Sequence, residues 1–102
     1  AFRPMRKHPV YCAAKAGLAM LTQSLAQELG PEIRVNGIGP GAILWPENDM
    51  DESTKKYIIE RTALKRHGEP KDIAKAILFL IRDAGSITGH IVPVDGGRSL
   101  NI

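Results

Sequence analysis

Two segments, far apart in the chain, have the pattern of a short β-strand. Residues 33–38 and 90–94 are rich in β-branched side chains and are bounded by glycine and proline. Helical patterns precede and separate them, and the order helix, strand, helix, helix, strand is typical of an α/β protein with parallel strands. Two strands are too few for a sheet that is covered by helices on both faces. The order therefore predicts the back part of a larger α/β domain.

The first predicted helix runs from Tyr11 to Leu29. It lacks proline, and apolar residues recur along it in steps of three and four: Ala14, Leu18, Leu21, Leu25, Leu29. Gly30-Pro31 then ends it, because proline cannot continue the hydrogen-bond ladder. Its other faces carry the small residues Ala13, Ala16, Gly17 and Ala19. We therefore expect this helix to be buried on more than one side.

Local signals mark where the later elements begin. Asp51 is the predicted N-cap of a second helix, roughly Glu52 to Thr62. Glu69-Pro70 opens a third helix with a wide apolar stripe, since proline is tolerated in the first turn.

The end of the chain predicts an edge strand and a turn. Pro93 has no backbone donor, so the strand at residues 90–94 is expected at or near a sheet edge. Asp95-Gly96-Gly97 then turns the chain, and Asp95 is expected to organise that turn rather than to bind a metal.

Composition excludes several classes of partner. The 102 residues carry 14 Lys+Arg against 11 Asp+Glu, a net charge of +3, and only 5% aromatics. The basic stretches at residues 3–8 and 65–67 have no interleaved aromatic residues, so nucleic acid is not an expected partner. No apolar run approaches the ~18 residues that span a bilayer, so no membrane partner is expected. The length suits one small domain.

The single cysteine and the first residues indicate the compartment. Cys12 cannot form an internal disulfide, and the three histidines are too dispersed to suggest a zinc site with it. Residues 1–9 show no hydrophobic signal-peptide centre. We expect a cytoplasmic, reduced setting and no metal.

Tyr11 and Lys15 are the strongest candidates for chemistry. Four residues apart, they lie on the same face of the predicted helix. A cation ~5 Å from a phenolate stabilises it by roughly 3 kcal/mol at an effective dielectric of ~20, which suits general acid–base work. The alternative is an ordinary solvated pair, because this spacing often arises by chance. The strand that ends at Pro40-Gly41 favours catalysis, since open parallel sheets bind ligands beyond the carboxyl ends of their strands.

With these residues the chain resembles the short-chain dehydrogenase/reductase family. The matching blocks are Tyr11-x-x-x-Lys15, Arg34-Val35-Asn36-Gly37-Ile38-Gly39-Pro40-Gly41 and Val94-Asp95-Gly96-Gly97. Residues 11–15 and 41–48 look most like pteridine reductases. The resemblance implies that residues 1–102 are the C-terminal portion of one Rossmann-like domain with a doubly wound parallel sheet. Its nucleotide-binding half would lie outside this chain, which alone is expected to be inactive.

The resemblance also implies residue roles. Tyr11 would be the catalytic proton donor, and Lys15 would bind the nicotinamide ribose and assist Tyr11. The cofactor would be NADPH, lined by Tyr11, Lys15, Pro40, Gly41, Ala42 and Ile43. The substrate would contact Tyr11, Leu44, Trp45 and Pro46, although Trp45 fits loop packing equally well.

The implied function is NADPH-dependent reduction of pterins of the dihydrobiopterin type, by a homotetramer with the first helix at a subunit interface. One alternative is another short-chain reductase acting on a carbonyl, such as a 3-oxoacyl thioester. The other is a catalytically inert truncated chain that serves only in assembly.

Overall fold

The computed structural model describes residues 9–40 and 51–100, and the element order in them is the predicted one. The elements are α1 (Pro9–Leu29), β1 (Gly37–Pro40), α2 (Glu52–Glu60), α3 (Pro70–Arg82), β2 (Ile91–Val94) and a 3-10 turn at Arg98–Leu100. None of the helices in these two ranges is long and apolar enough to cross a membrane.

Strands β1 and β2 pair in parallel, as the order predicted. Gly37 lies opposite Ile91 and Pro40 lies opposite Val94. The predicted bounds of the first strand were wrong, since residues 33–36 precede the observed strand. The reason is that the side chains of Arg34 and Asn36 form hydrogen bonds with residues 80–90. Residues 33–36 are therefore held by side-chain bonds, and regular strand pairing begins after them.

Helix α1 ends at Leu29, where Gly30-Pro31 was predicted to stop it. The expected burial on several sides is not found in the described residues: Thr22 and Ala26 are its buried positions, while Leu18 is 57% and Leu21 51% exposed. The helix that packs on both strands in the described residues is α3, so α1 has little against which to bury its apolar stripe. The covered strip is near Ala26, whose Cβ would lie 3.4 Å from a Cβ added at Gly89.

The starts of α2 and α3 follow from capping. Asp51 accepts a hydrogen bond of 2.7 Å from the Thr54 backbone N–H, which confirms the predicted N-cap. Helix α2 ends at Glu60, two residues earlier than predicted, because the Thr62 N–H turns back to the Ile59 carbonyl at 3.1 Å.

Helix α3 begins at Pro70, as predicted. The Glu69 N–H donates to the Asp72 carboxylate at 2.8 Å, and the Asp72 backbone N–H donates to the Glu69 backbone carbonyl at 2.9 Å. This reciprocal pair satisfies donors that a helix start otherwise leaves free.

The turn after β2 is hydrogen-bonded to the segment that connects α2 and α3. Gly96 and Gly97 have φ angles of 63° and 87°, which favour glycine. The Asp95 carboxylate accepts hydrogen bonds from the backbone N–H groups of Gly97 (3.0 Å) and Ser99 (3.2 Å), as predicted for a turn residue. The Leu64 N–H donates to the Gly96 carbonyl at 2.8 Å, so the connector and the turn are directly joined.

Candidate active site

Tyr11 and Lys15 lie together on the first two turns of α1, as their spacing predicts. The Lys15 Nζ atom is 5.4 Å from the centroid of the Tyr11 ring. Tyr11 is 51% exposed and Lys15 is partly buried. The phenol is therefore accessible to a bound molecule, and the ammonium stabilises its ring through a cation–π contact.

The pair lies at the end of α1 that is remote from the amino edge of the sheet. Ala26 approaches Gly89, and Gly89 lies just before β2. Ala26 lies 15 positions after Tyr11 (26 − 11 = 15), a rise of about 22 Å along the helix. Pro40, the other predicted site residue in the described part, is exposed at the carboxyl end of β1.

The remaining predicted cofactor and substrate residues lie outside the described ranges. These residues are Gly41, Ala42, Ile43, Leu44, Trp45 and Pro46. Their roles stay predictions.

A second tyrosine–cation pair, not singled out by the sequence, lies on α2. The Arg61 guanidinium carbon is 5.2 Å from the Tyr57 ring centroid, and Tyr57 is 57% exposed. Its spacing of four residues is also that of Tyr11 and Lys15, and could have drawn attention to it. Contact geometry alone therefore does not distinguish the two pairs.

Shifted carboxyl pKa values occur at the helix starts. The Thr54 backbone N–H holds the pKa of Asp51 below its ordinary value. The Glu69 backbone N–H, followed by the Arg66 guanidinium, lowers the pKa of Asp72. Both carboxylates are helix caps, so these shifts report structural roles.

The residues around Tyr11 fit one end of a nicotinamide cofactor. An ammonium and a phenol are donors suited to ribose hydroxyls and to a substrate oxygen, and no acidic residue occupies the first turn of α1. A pyrophosphate calls for a glycine-rich turn that opens a helix. In the described residues, the turn at Gly96-Gly97 opens only the three-residue Arg98–Leu100 helix, so it does not fit that part of the cofactor.

Comparison with known proteins decides the family. A family model described as "Enoyl-(Acyl carrier protein) reductase" matches residues 1–99. The chain belongs to the short-chain dehydrogenase/reductase family. The predicted family and the α/β, Rossmann-like fold class are thereby confirmed.

Relatives of this short-chain dehydrogenase/reductase chain are considerably longer. An L-xylulose reductase of Caenorhabditis elegans is 43% identical over 99% of this chain and 42% of its own length. The 3-oxoacyl-[acyl-carrier-protein] reductase FabG of Thermotoga maritima is 40% identical over 85% of this chain and 37% of its own. A solved structure from Sinorhizobium meliloti, assigned to the short-chain alcohol dehydrogenases, has a TM-score of 0.88 and 34% identity over 99% of this chain and 42% of that one. The chain thus spans about two fifths of the length of these proteins.

Proposed function

We propose that the protein carrying this chain is an NAD(P)H-dependent short-chain reductase, with Tyr11 as proton donor and Lys15 as its cationic partner. The observation that carries the proposal is the 5.4 Å approach of the Lys15 ammonium to the Tyr11 ring, in a chain of this family. The exposed phenol can contact a substrate and act as a general acid.

The chain's own residues supply the proton and part of the binding site. When bound, the nicotinamide cofactor supplies a hydride to the electrophilic carbon of the substrate. Tyr11 Oη donates its proton to the oxygen or nitrogen that receives the released electron pair, so a C=O group becomes an alcohol and a C=N group becomes an amine. Lys15 would hold the ribose hydroxyls through hydrogen bonds from its ammonium group, and Tyr11 would regain its proton from solvent.

NADPH is the proposed cofactor, with Pro40, Gly41, Ala42 and Ile43 along its nicotinamide side. Leu44, Trp45 and Pro46 are the proposed substrate contacts. We further propose that the protein is cytoplasmic and forms a homotetramer with α1 at a subunit contact. Native mass spectrometry of the full-length protein tests the number of subunits.

Two substrate classes follow from different observations. The relatives named above are reductases of L-xylulose and of 3-oxoacyl-[acyl-carrier-protein], which favours a carbonyl compound. The similarity of residues 11–15 and 41–48 to pteridine reductases favours a dihydropterin, the second candidate. Initial rates of the full-length protein with L-xylulose, a 3-oxoacyl thioester and dihydrobiopterin, each with NADPH and with NADH, separate the two.

The proton-donor role is tested by Tyr11→Phe in the full-length protein. We expect turnover to fall by about 10²- to 10⁴-fold, the usual contribution of a general acid. Tyr57→Phe is the matched control, because Tyr57 has a similar exposure (57% against 51%) and a cation at a similar distance. We expect that control to keep its turnover. Unchanged turnover in Tyr11→Phe would contradict the role, and no turnover by the unaltered protein with any substrate would favour the assembly-only alternative.

A further inference from the structure

The short parallel pairing of β1 with β2 has little in its own sequence to fix its register. Each strand has four residues, and β1 reads Gly-Ile-Gly-Pro. Pro40 and Pro93 contribute no N–H to the ladder. Glycine-rich strands specify register weakly, because register depends on a pattern of side chains on each face. Something outside the ladder must therefore set which residues face each other.

Arg34 ties the chain before β1 to the end of α3. Its Nη1 atom donates to the carbonyl oxygens of Leu80 (2.6 Å) and Ala84 (2.9 Å), and its Nη2 atom donates to that of Ile81 (3.0 Å). A helix leaves its last carbonyls without partners in the helix, and their partial negative charge attracts a cation. One guanidinium thus supplies donors to the Leu80 and Ile81 carbonyls in the last turn of α3, and a second donor to the Ala84 carbonyl, which also accepts from the Ile87 N–H at 3.1 Å.

Asn36 ties the same segment to the residues that lead into β2. Its Nδ2 atom donates to the Ile87 carbonyl at 2.8 Å, and its Oδ1 atom accepts from the His90 N–H at 3.1 Å. Because both ends of the amide are used, a slip of one residue would break both bonds. The adjoining Gly37 N–H then donates to the His90 carbonyl at 2.8 Å and starts the pairing.

We propose that Arg34 and Asn36 form a register clamp, which fixes the position of β1 along the strand direction relative to β2 and so positions Pro40, the first of the proposed nicotinamide contacts. The two are positioning residues, since neither is placed against a reacting atom. The inference rests on the proposed function, because the segment that begins at Pro40 is the proposed nicotinamide contact. Three residues separate Asn36 from Pro40, so a shift of Asn36 along the strand would shift Pro40 with it.

The test uses Arg34→Met and Asn36→Asp in the full-length protein. Asn36→Asp keeps an acceptor for His90 but removes the donor to Ile87. Arg82→Met is the matched control, because Arg82 also loses a positive charge at the end of α3, where it pairs with the exposed Asp83 carboxylate. Arg34→Lys is the conservative variant, which keeps the charge without the fork of donors.

Three quantities are measured below the unfolding temperature of every variant: the KM for the nicotinamide cofactor, kcat, and amide exchange at Gly37 and Gly89. The Gly37 N–H donates to the His90 carbonyl and the Gly89 N–H donates to the Val35 carbonyl (2.7 Å), so both amides report on the pairing. We expect both clamp variants to raise the cofactor KM about tenfold or more, as small misplacements at a distance do, with faster exchange at both amides. Arg34→Lys should recover part of the loss, and Arg82→Met should match the unaltered protein.

Clamp variants that unfold more easily but keep both the cofactor KM and the exchange rates would overturn the proposal, because the residues would then only add stability. A full-length protein that binds no nicotinamide cofactor would instead remove the proposed function. In that case the exchange rates, which need no cofactor, still decide whether the clamp fixes the register: unchanged rates refute it, and faster rates support it.

Discussion

Substitution of Gly97 by alanine should strongly destabilise the protein. A Cβ at position 97 would lie 2.5 Å from the Cβ of Ala63, a distance that real side chains do not adopt. The φ angle of 87° adds backbone strain, which costs an alanine about 1–2 kcal/mol. Overpacking of this kind costs about 1–3 kcal/mol. Together they amount to about 2–5 kcal/mol, a large part of the 5–15 kcal/mol that typically holds a domain folded.

Urea unfolding of the full-length protein measures this difference. The matched control is Gly85→Ala, because nothing lies within 4 Å of a Cβ there. We expect the control to stay within about 0.5 kcal/mol of the unaltered protein, as exposed substitutions do. If Gly97→Ala unfolds at the same urea concentration as Gly85→Ala, the close approach of the two turns is refuted.

Two further predictions concern carboxylates. The lowered pKa of Asp72 means that its stabilising effect is complete above the ordinary carboxyl pKa of about 4 and is lost as the pH falls through the lower folded value. Asp72→Asn should therefore weaken the fall of the unfolding temperature with pH between about pH 5 and about pH 2. An unchanged pH dependence in this range would contradict the prediction. Asp95→Ala removes the acceptor of two backbone N–H groups, so it should lower the free energy of unfolding by about 1–3 kcal/mol in urea titrations, and a loss below ~0.5 kcal/mol would show that water replaces both bonds.

Predictions from the sequence were accurate where the controlling interaction is local. The end of α1 at Gly30-Pro31, the N-cap at Asp51 and the opening of α3 at Glu69-Pro70 depend on residues within one helical turn, and each is found in the structure. The adjacency of Tyr11 and Lys15 is local for the same reason.

Errors arose where distant residues decide. The start of β1 is set by Arg34 and Asn36, whose partners lie 46–54 residues away, so β-branched content alone misplaced the strand. The burial of α1 depends on how many strands lie beneath it, which its apolar stripe does not reveal. Tyr57 and Arg61 have the same spacing as Tyr11 and Lys15, so spacing alone does not select between the two pairs; the strand end at Pro40-Gly41 and the family resemblance favoured Tyr11. The spacing of Tyr11 and Lys15 does not indicate the substrate, because the same proton donor can serve the reduction of many different electrophilic groups.

The separation between the paired strands has a consequence for synthesis on the ribosome. Gly37 and its partner Ile91 are 54 residues apart, since 91 − 37 = 54. At ~5–20 residues per second, β1 waits roughly 3–11 s for β2 to be translated. The three carbonyls that Arg34 binds, at residues 80–84, are likewise translated after β1 and before β2. A nascent chain paused near residue 90 would thus display a glycine-rich edge to its neighbours, a natural point for chaperone protection.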